Sequence, residues 1–525
     1  MVGKMRNRTR TWTYLLIVIL GSSASAVAQD TFRVMLKVCS PLTAILGIVG
    51  IAVAGYLSGK SFDSYTGWER FTHGAGMFFN RKPFRRDRPT YGVTEEARRL
   101  NYEDSLFTRF RTILSLMHPH DGGPPKWVPD MGVEKLPEPF KSFFLANPKK
   151  YEITLRIFPR IDEQRAKWGM FDAQLALADA WSNAVAGSFE DHEGEFTFQH
   201  LFPPEPTGPP EEWDFRGIRR EKPMRFKSPK HASELIKKVT HTFGATLVGI
   251  TKLNPHWCYQ GRLRGVGEVK YAKPAHWEYA IVFATPHEWD QLYSVPAYGT
   301  SYDAYSRERM IAGNLEIFLH ELGYPARCHV PPSFFDVVLP PIAIDAGLGE
   351  VGRNGLVITP ELGPNARLAC VTTNVPMEVD KPIDIGVAKF CAKCKICADK
   401  CPSGSISSKS EPGVVRGYKR WAINQESCFH TWASVANSHP KGCRICLAVC
   451  PYTRKNNWMH SLSRNIEPRD PTGITASILL WMQKKFFEYP ENTEFLAPPA
   501  GRNATYHEPP DWLQTEKWFD VEKTW

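Results

Sequence analysis

Phe390–Pro402 reads FCAKCKICADKCP and sets Cys391, Cys394, Cys397 and Cys401 in the order C-x2-C-x2-C-x3-C-P. A second half follows: Cys428, fourteen residues, then Cys443-x2-Cys446-x3-Cys450-Pro451. Eight of the twelve Cys of the chain thus lie between Cys391 and Cys450. Such clustering is metal chemistry, because a disulfide framework would spread its Cys through a small secreted chain. Short loops between Cys present three thiolates without strain, and the Pro after the last one ends the loop and fixes where the chain goes next.

The spacing is that of bacterial ferredoxins, in which the fourth Cys of one run serves the other cluster. That crossed pattern assigns Cys391, Cys394, Cys397 and Cys450 to one 4Fe-4S cluster, and Cys401, Cys428, Cys443 and Cys446 to the other. The competing reading is two structural zinc sites, since zinc also takes four thiolates. A zinc ribbon has no need of a third Cys two residues further on, or of the paired Cys-Pro. No Cys-x2-Cys-His is present, so covalent haem is not indicated. Cys39, Cys258, Cys328 and Cys370 stand outside the pattern as ordinary buried or membrane residues. Two adjacent clusters form an electron relay, reaching roughly −400 mV in ferredoxins.

Working outward, the segment before the Cys block alternates helix and strand. Residues 232–243 read as a helix, 246–253 (TLVGITKL) and 279–285 (YAIVFAT) as strands. Residues 303–322 carry Ile311, Leu315, Phe318, Leu319 and Leu322 as a helical stripe, with Ser301 or Asp303 to cap its start and Gly323 its end. Residues 367–373 (RLACVTT) give a third strand. The chain shows no G-x-G-x-x-G after a strand and no G-x-x-x-x-G-K-[ST], so nucleotide phosphates have no evident cradle.

Upstream the chain changes character. Lys4, Arg6, Arg8 and Arg10 precede an apolar run, residues 12–20, and small residues ending at Ala28, the pattern of a secretory signal. Residues 38–57 then run about twenty positions without a charge, long enough to cross a bilayer. Lys60, Arg70, Arg81, Lys82, Arg85 and Arg86 follow, so the positive-inside bias places both ends of a membrane hairpin in the cytoplasm. Cleavage of the first segment, with the body on the exocytoplasmic face, is the alternative. Residues 61–230 are Pro-rich, with the clearest connector at 203–213, and carry no chemical motif. The whole chain of 525 residues holds 65 Lys and Arg against 55 Asp and Glu, a net +10 too diffuse for a nucleic-acid stripe.

The run PPIAIDAGLGEVGRNGLVITPELGPNARLACVTTNVP (340–376), leading into the Cys block, closely resembles the corrinoid-dependent reductive dehalogenases. So do AYSRERMIAGNLEIFLHELGYPA (304–326) and FGATLVGITKL (243–253), and the match covers roughly residues 230–455. The resemblance implies an α/β (α+β) chain: a nitroreductase-like corrinoid-binding domain (231–385) fused to a ferredoxin-like two-cluster domain (386–455). Residues 1–60 would be the transmembrane segment or signal, 61–230 the Pro-rich region, and 456–525 a C-terminal segment packing on the corrinoid domain.

It further implies cobalamin without an axial protein ligand, fed by two 4Fe-4S clusters, and a small organohalide as substrate. The low-potential donor would be a ferredoxin, a flavodoxin or a membrane electron-transfer protein. The family's proton donor, a Tyr, corresponds to Tyr305, and its assisting basic residue to Arg367. Tyr302 and Tyr298 compete with the first, and Arg353 with the second. A guanidinium suits the second role because it stays charged and stabilises a phenolate left behind by proton donation. The family's pocket Asn is absent, its place taken by PPSFF (331–335). Two rival functions share these features: an epoxyqueuosine-reductase-like enzyme, and a non-catalytic iron–sulfur electron-transfer subunit.

Overall fold

The computed structural model describes residues 83–117, 132–155, 177, 180–181, 184, 214–264, 267–293, 300–331, 335–435, 443–453, 458–486 and 511–519. The apolar segments 12–20 and 38–57, the connector 203–213 and Tyr298 lie outside them. Among the described residues no helix is long and apolar enough to cross a membrane. In chain order the elements that matter are α1 (Leu106–Met117), α2 (Pro229–Thr242), β1 (Leu247–Lys252), β2 (Tyr279–Thr285), α3 (Thr300–Glu321), β3 (Ala326–His329), α4 (Leu339–Asp345) and β4 (Arg367–Thr373). Five helices follow or lie within the Cys block: α5 (Val387–Lys393), α6 (Ile396–Asp399), α7 (Gln425–Val435), α8 (Ile445–Ala448) and α9 (Ile474–Phe486).

One sheet, ordered β1-β2-β4-β3 with every pair antiparallel, makes the centre. The α/β alternation is therefore realised as α+β: α3 carries the chain from β2 to the far edge, and β4 returns to fill the gap between them. Along β2, Tyr279, Ile281 and Phe283 face α2 and α3, while Ala280 and Val282 face α4. Side chains of a strand alternate between its faces, so a strand buried on both reads as the unbroken apolar run YAIVFAT. The stripe of α3 does what its spacing requires: Ile311, Leu315 and Leu319 are buried, with Phe318 and Leu322 packed beside them.

Two local readings need correction, and a third holds. The helix expected from residue 232 begins at Pro229, because Ser228 caps it by accepting a hydrogen bond from the His231 amide and Pro suits the first helical position. α3 is already helical at Thr300, so Ser301 and Asp303 lie in its first turn and are not its cap. Gly323 does end it, at φ +85°, where a side chain would be strained.

The described parts of 61–230 include α1 and two shorter helices, Phe140–Ala146 and Pro148–Leu155. Leu106 and Ile113 of α1 pack with Leu136, Phe140 and Phe144 and with Phe429 of α7. Arg109, buried, donates to Glu426 of α7 at 3.4 Å. The region without a motif thus covers the helix that carries Cys428.

Of the C-terminal segment, expected to pack on the corrinoid domain, the described helix α9 packs on the Cys block. Ala476, Leu479 and Leu480 of α9 pack on Phe390, Cys394, Ile396 and Cys397 of the Cys block, and Leu513 packs with Trp512, Leu177 and Trp181. The apolar surface left by the short helices α5 and α6 is what α9 buries. Residues 82–456 with 466–525 form one compact unit and 1–81 with 457–465 another, of which the described part is 458–465 in the helix ending at Ile466.

Candidate redox site

The Cys block is built from helices of four to eleven residues, each contributing thiols at or beside its ends. Cys391 lies in α5 and Cys394 is its C-cap; Cys397 lies in α6, with Cys401 just beyond; α7 carries Cys428; and α8 carries Cys446 between Cys443 and Cys450. Burial raises the thiols of Cys391 and Cys443 to about 12 and that of Cys428 to about 11. After burial, the charges that further oppose ionisation define neighbours. For Cys397 they are Cys450, Cys391 and Cys394; for Cys443 they are Cys428 and Cys401. Cys446 feels Cys428, Cys443 and Cys401 and also Cys397, so the two groups adjoin there. Among the described residues no three His, Cys, Asp or Glu side chains gather as ligands of a single ion.

The Gly-rich run beneath this block is its foundation. Arg353, 1% exposed, donates to the carbonyls of Cys391 (3.2 and 2.5 Å), Cys394 (2.9 Å), Ser407 (2.6 Å) and Lys409 (2.7 Å), with its guanidinium 4.9 Å over the Trp421 ring. Arg353 therefore holds the first Cys loop and does not reach towards Tyr305 as a rival of Arg367. Glu350, buried, accepts from the amides of Ile385 (2.5 Å) and Val387 (3.3 Å) and fixes the start of α5. Gly363, at φ +61°, lets the Tyr452 carbonyl approach so closely that a Cβ would sit 2.2 Å from it. Only Gly brings the run that close to the second Cys half.

The two residues singled out near the sheet meet. The Arg367 guanidinium, at the start of β4, lies 5.0 Å over the Tyr305 ring of α3. Arg367 Nη2 donates to Ser301 Oγ at 2.6 Å, one turn before Tyr305. The same hydroxyl accepts from Nε of Arg444 at 2.5 Å. Arg444 stands between Cys443 and Cys446, in the left-handed region at φ +57°, as N-cap of α8. Burial lowers its pKa to about 10, Arg367 adds to that, and Tyr305 and Cys443 oppose it, so it is a cation at neutral pH. Two guanidiniums, one from the sheet and one from the Cys block, thus share Ser301 beside Tyr305.

Buried polar groups surround this pair. Glu308 lies three residues after Tyr305 and is fully buried, which pushes its carboxyl well above the usual range against the opposing charge of Arg367. Thr285 is close enough to favour the charged form, yet neither Glu308 oxygen nor Thr285 Oγ1 makes a hydrogen bond of normal geometry. His287 is held neutral by burial, with Arg367 and Arg444 adding to it. Its Nδ1 is 2.7 Å from Asn365 Oδ1, which makes Nδ1 the donor in a neutral ring and leaves Nε2 an acceptor with no partner. Both amide atoms of the buried Gln291 are likewise without partners. Desolvated polar atoms left unpaired cost about 1–3 kcal/mol each. Those of Glu308, Thr285 and His287 lie beside Arg367 and fit a site that takes up a large polar group.

Sequence reasoning missed Arg444, Ser301 as a shared acceptor, Glu308, His287 and Gln291. Only Arg444 carried a signal, its place inside Cys443-x2-Cys446. Tyr302 is in α3, but its side chain lies outside the described residues.

A 4Fe-4S dicluster domain matches residues 390–454. A tetrachloroethene reductive dehalogenase of Desulfitobacterium hafniense is 32% identical over 301 residues, 48% of this chain and 53% of that protein. An epoxyqueuosine reductase of Listeria monocytogenes is 29% identical over 171 residues, 32% of this chain and 42% of that protein. The chain spans about half the length of the curated relatives it matches first. In fold it is similar to a solved reductive dehalogenase described as suggesting a mechanism for B12-dependent dehalogenation. The TM-score is 0.54 at 21% identity, over 76% of this chain and 48% of that one.

Proposed function

We propose, from the 32% identity to a tetrachloroethene reductive dehalogenase over about half of its length, that this chain removes halide from an organohalide: R–X + 2e⁻ + H⁺ → R–H + X⁻. The epoxyqueuosine reductases are the more distant relatives. What carries the reading is the sharing of Ser301 by Arg367 and Arg444, which ties the proton-donor candidate Tyr305 to the loop of a second cluster.

One 4Fe-4S cluster is assigned to Cys391, Cys394, Cys397 and Cys450, the other to Cys401, Cys428, Cys443 and Cys446. The electrostatic neighbours support this division. A cubane binds each thiolate to a different iron and so needs its sulfurs apart, where zinc would gather them on one point. The buried Thr285, His287 and Gln291, with polar atoms unpaired, suit a cobalamin, whose rim carries amides. When bound, that corrinoid supplies the low-valent cobalt that reduces the carbon–halogen bond.

The residues of the chain do the rest. Tyr305 donates the proton from its hydroxyl, and Arg367 and Arg444 stabilise the phenolate left behind. His287, kept neutral, does not compete as an acid. Glu308, whose burial favours the protonated carboxyl and which lies one turn from Tyr305, is placed to restore its proton. The same two cations favour departure of the halide.

Residues 1–60 are proposed as the membrane anchor, with 61–230 covering the Cys block and the catalytic part, 231–455, in the cytoplasm. The donor is a ferredoxin, a flavodoxin or a membrane electron-transfer protein. Full-length protein, purified anaerobically and loaded with iron, sulfide and cobalamin, should retain cobalt and release halide from members of a panel of chlorinated and brominated compounds. Intact clusters with no corrinoid retained would leave an electron-transfer subunit as the better account.

A further inference from the structure

The outer face of α9 has no part in the core or in the site around Tyr305. Ile474, Ile478, Trp481 and Met482 fall at i, i+4, i+7 and i+8 and are 61, 52, 62 and 43% exposed. The inner face packs on Phe390, Cys394, Ile396 and Cys397. A single helix, roughly 10–12 Å across with its side chains, separates the first Cys run from solvent. Lys484 is near enough to Cys394 to favour its thiolate. Where α9 begins, Lys393, Thr472, Ile474, Ile478 and Trp481 line a cavity of ≈320 Å³.

Positive charge predominates on this face, with Asp399 within it and Glu467 and Asp470 beside Lys389. Residues 389–400 and 474–486 hold Lys389, Lys393, Lys395, Lys400, Lys484 and Lys485 against Asp399. Lys389, Lys393, Lys484 and Lys485 are exposed. An apolar centre rimmed by cations is the anatomy of a transient protein interface with an acidic partner.

We propose that the outer face of α9 with its lysine rim is the docking surface for an acidic, low-potential one-electron carrier protein that reduces the cluster of the first Cys run. The proposal rests on the dicluster reading. Each docking oxidises one carrier by one electron and reduces one cluster by one. Two such events supply the two electrons that, with one proton, turn R–X into R–H and X⁻. A lipid surface would also take an apolar, basic face, but it delivers no electrons, and this face lies over the Cys run.

The test uses the full chain with clusters assembled and reduced flavodoxin, an acidic flavin carrier whose absorbance reports each electron lost. Stopped-flow mixing at low and high salt compares wild type with Lys484→Glu/Lys485→Glu and with Trp481→Ser. The charge reversal should slow the second-order transfer at least about 10-fold at low salt and flatten its salt dependence. Trp481→Ser should slow it while keeping the salt dependence. Reduction by dithionite, which needs no docking face, should be unchanged in both. Transfer at the wild-type rate in both variants overturns the proposal. So does loss of the salt-sensitive preference for anionic over neutral phospholipid vesicles while flavodoxin kinetics stay unchanged. If the charge reversal prevents cluster assembly, Trp481→Ser decides by the same criteria. Halide release is not read, so an inactive dehalogenase leaves the result interpretable, whereas a chain that takes up no iron sinks the underlying reading.

Discussion

Arg444 Nε and Ser301 Oγ, 143 residues apart in the chain, are joined by a 2.5 Å hydrogen bond. It runs from the loop between two Cys of the block to the first turn of α3, and Arg367 meets it on the same oxygen. Replacing Arg444 by Gln should leave both clusters in place and lower kcat roughly 100-fold, the cost of losing one donor aimed at developing charge. Arg444→Lys should recover only part of this, since an ammonium keeps the charge but not the fork. Cluster spectra unchanged from wild type, together with a kcat loss and an alkaline limb shifted in the pH profile, would separate this role from simple destabilisation.

Tyr305→Phe should bind both clusters and corrinoid and lose about 100- to 10,000-fold in turnover, the range of general acid catalysis. Halide release measured beside cobalt content checks it. Full activity would move the role to Tyr302 or Tyr298.

Glu308→Gln keeps the shape and removes the acid. Turnover should fall about 10-fold or more with a smaller solvent deuterium effect lost on the first turnover than on later ones, because the proton of Tyr305 is present at the start. Single-turnover and steady-state rates, compared in the two solvents, give the answer.

Arg353→Met should fail earlier, at assembly. It strands the carbonyls of Cys391, Cys394 and Ser407, at about 1–3 kcal/mol for each buried acceptor, while that of Lys409 keeps the Trp421 indole N–H. Iron content should drop to about one cluster, and the melting temperature should fall by several degrees.

Glu467 gives a pH test of stability. Burial, reinforced by Glu350 and Asp470 and opposed by Lys389, raises its carboxyl from 4.5 to about 7. A raised carboxyl pKa means that the folded state holds the proton more tightly than the unfolded one. The folded state is therefore favoured below about 4.5 and loses that advantage as pH rises to about 7. Glu467→Gln should melt at a higher temperature than wild type above pH 7, with the difference vanishing towards pH 4.5. Parallel melting curves at all pH values would contradict this.

The features legible in the sequence were those with short-range periodicity. Cys spacing, the apolar run of β2 and the stripe of α3 each repeat within a few residues, and each is matched by an element of the fold. Ser301 looked like a helix cap because Ser and Asp commonly are. Its hydroxyl is instead claimed by guanidiniums 66 and 143 residues away, which no local pattern reports. Arg353 and Arg367 were indistinguishable as basic residues of one Gly-rich run; only packing shows that one supports the Cys loop and the other stacks on Tyr305. The packing of α9 was misplaced because an apolar stripe states that a face is buried and not against what.

The most direct measurement is metal content combined with electron paramagnetic resonance on the anaerobically assembled full chain. The account predicts iron for two 4Fe-4S clusters and one cobalt per chain, with the spectrum of the fully reduced state broadened by interaction between neighbouring clusters. Bound zinc at the eight Cys, or iron in full amount with no cobalt retained, would contradict it.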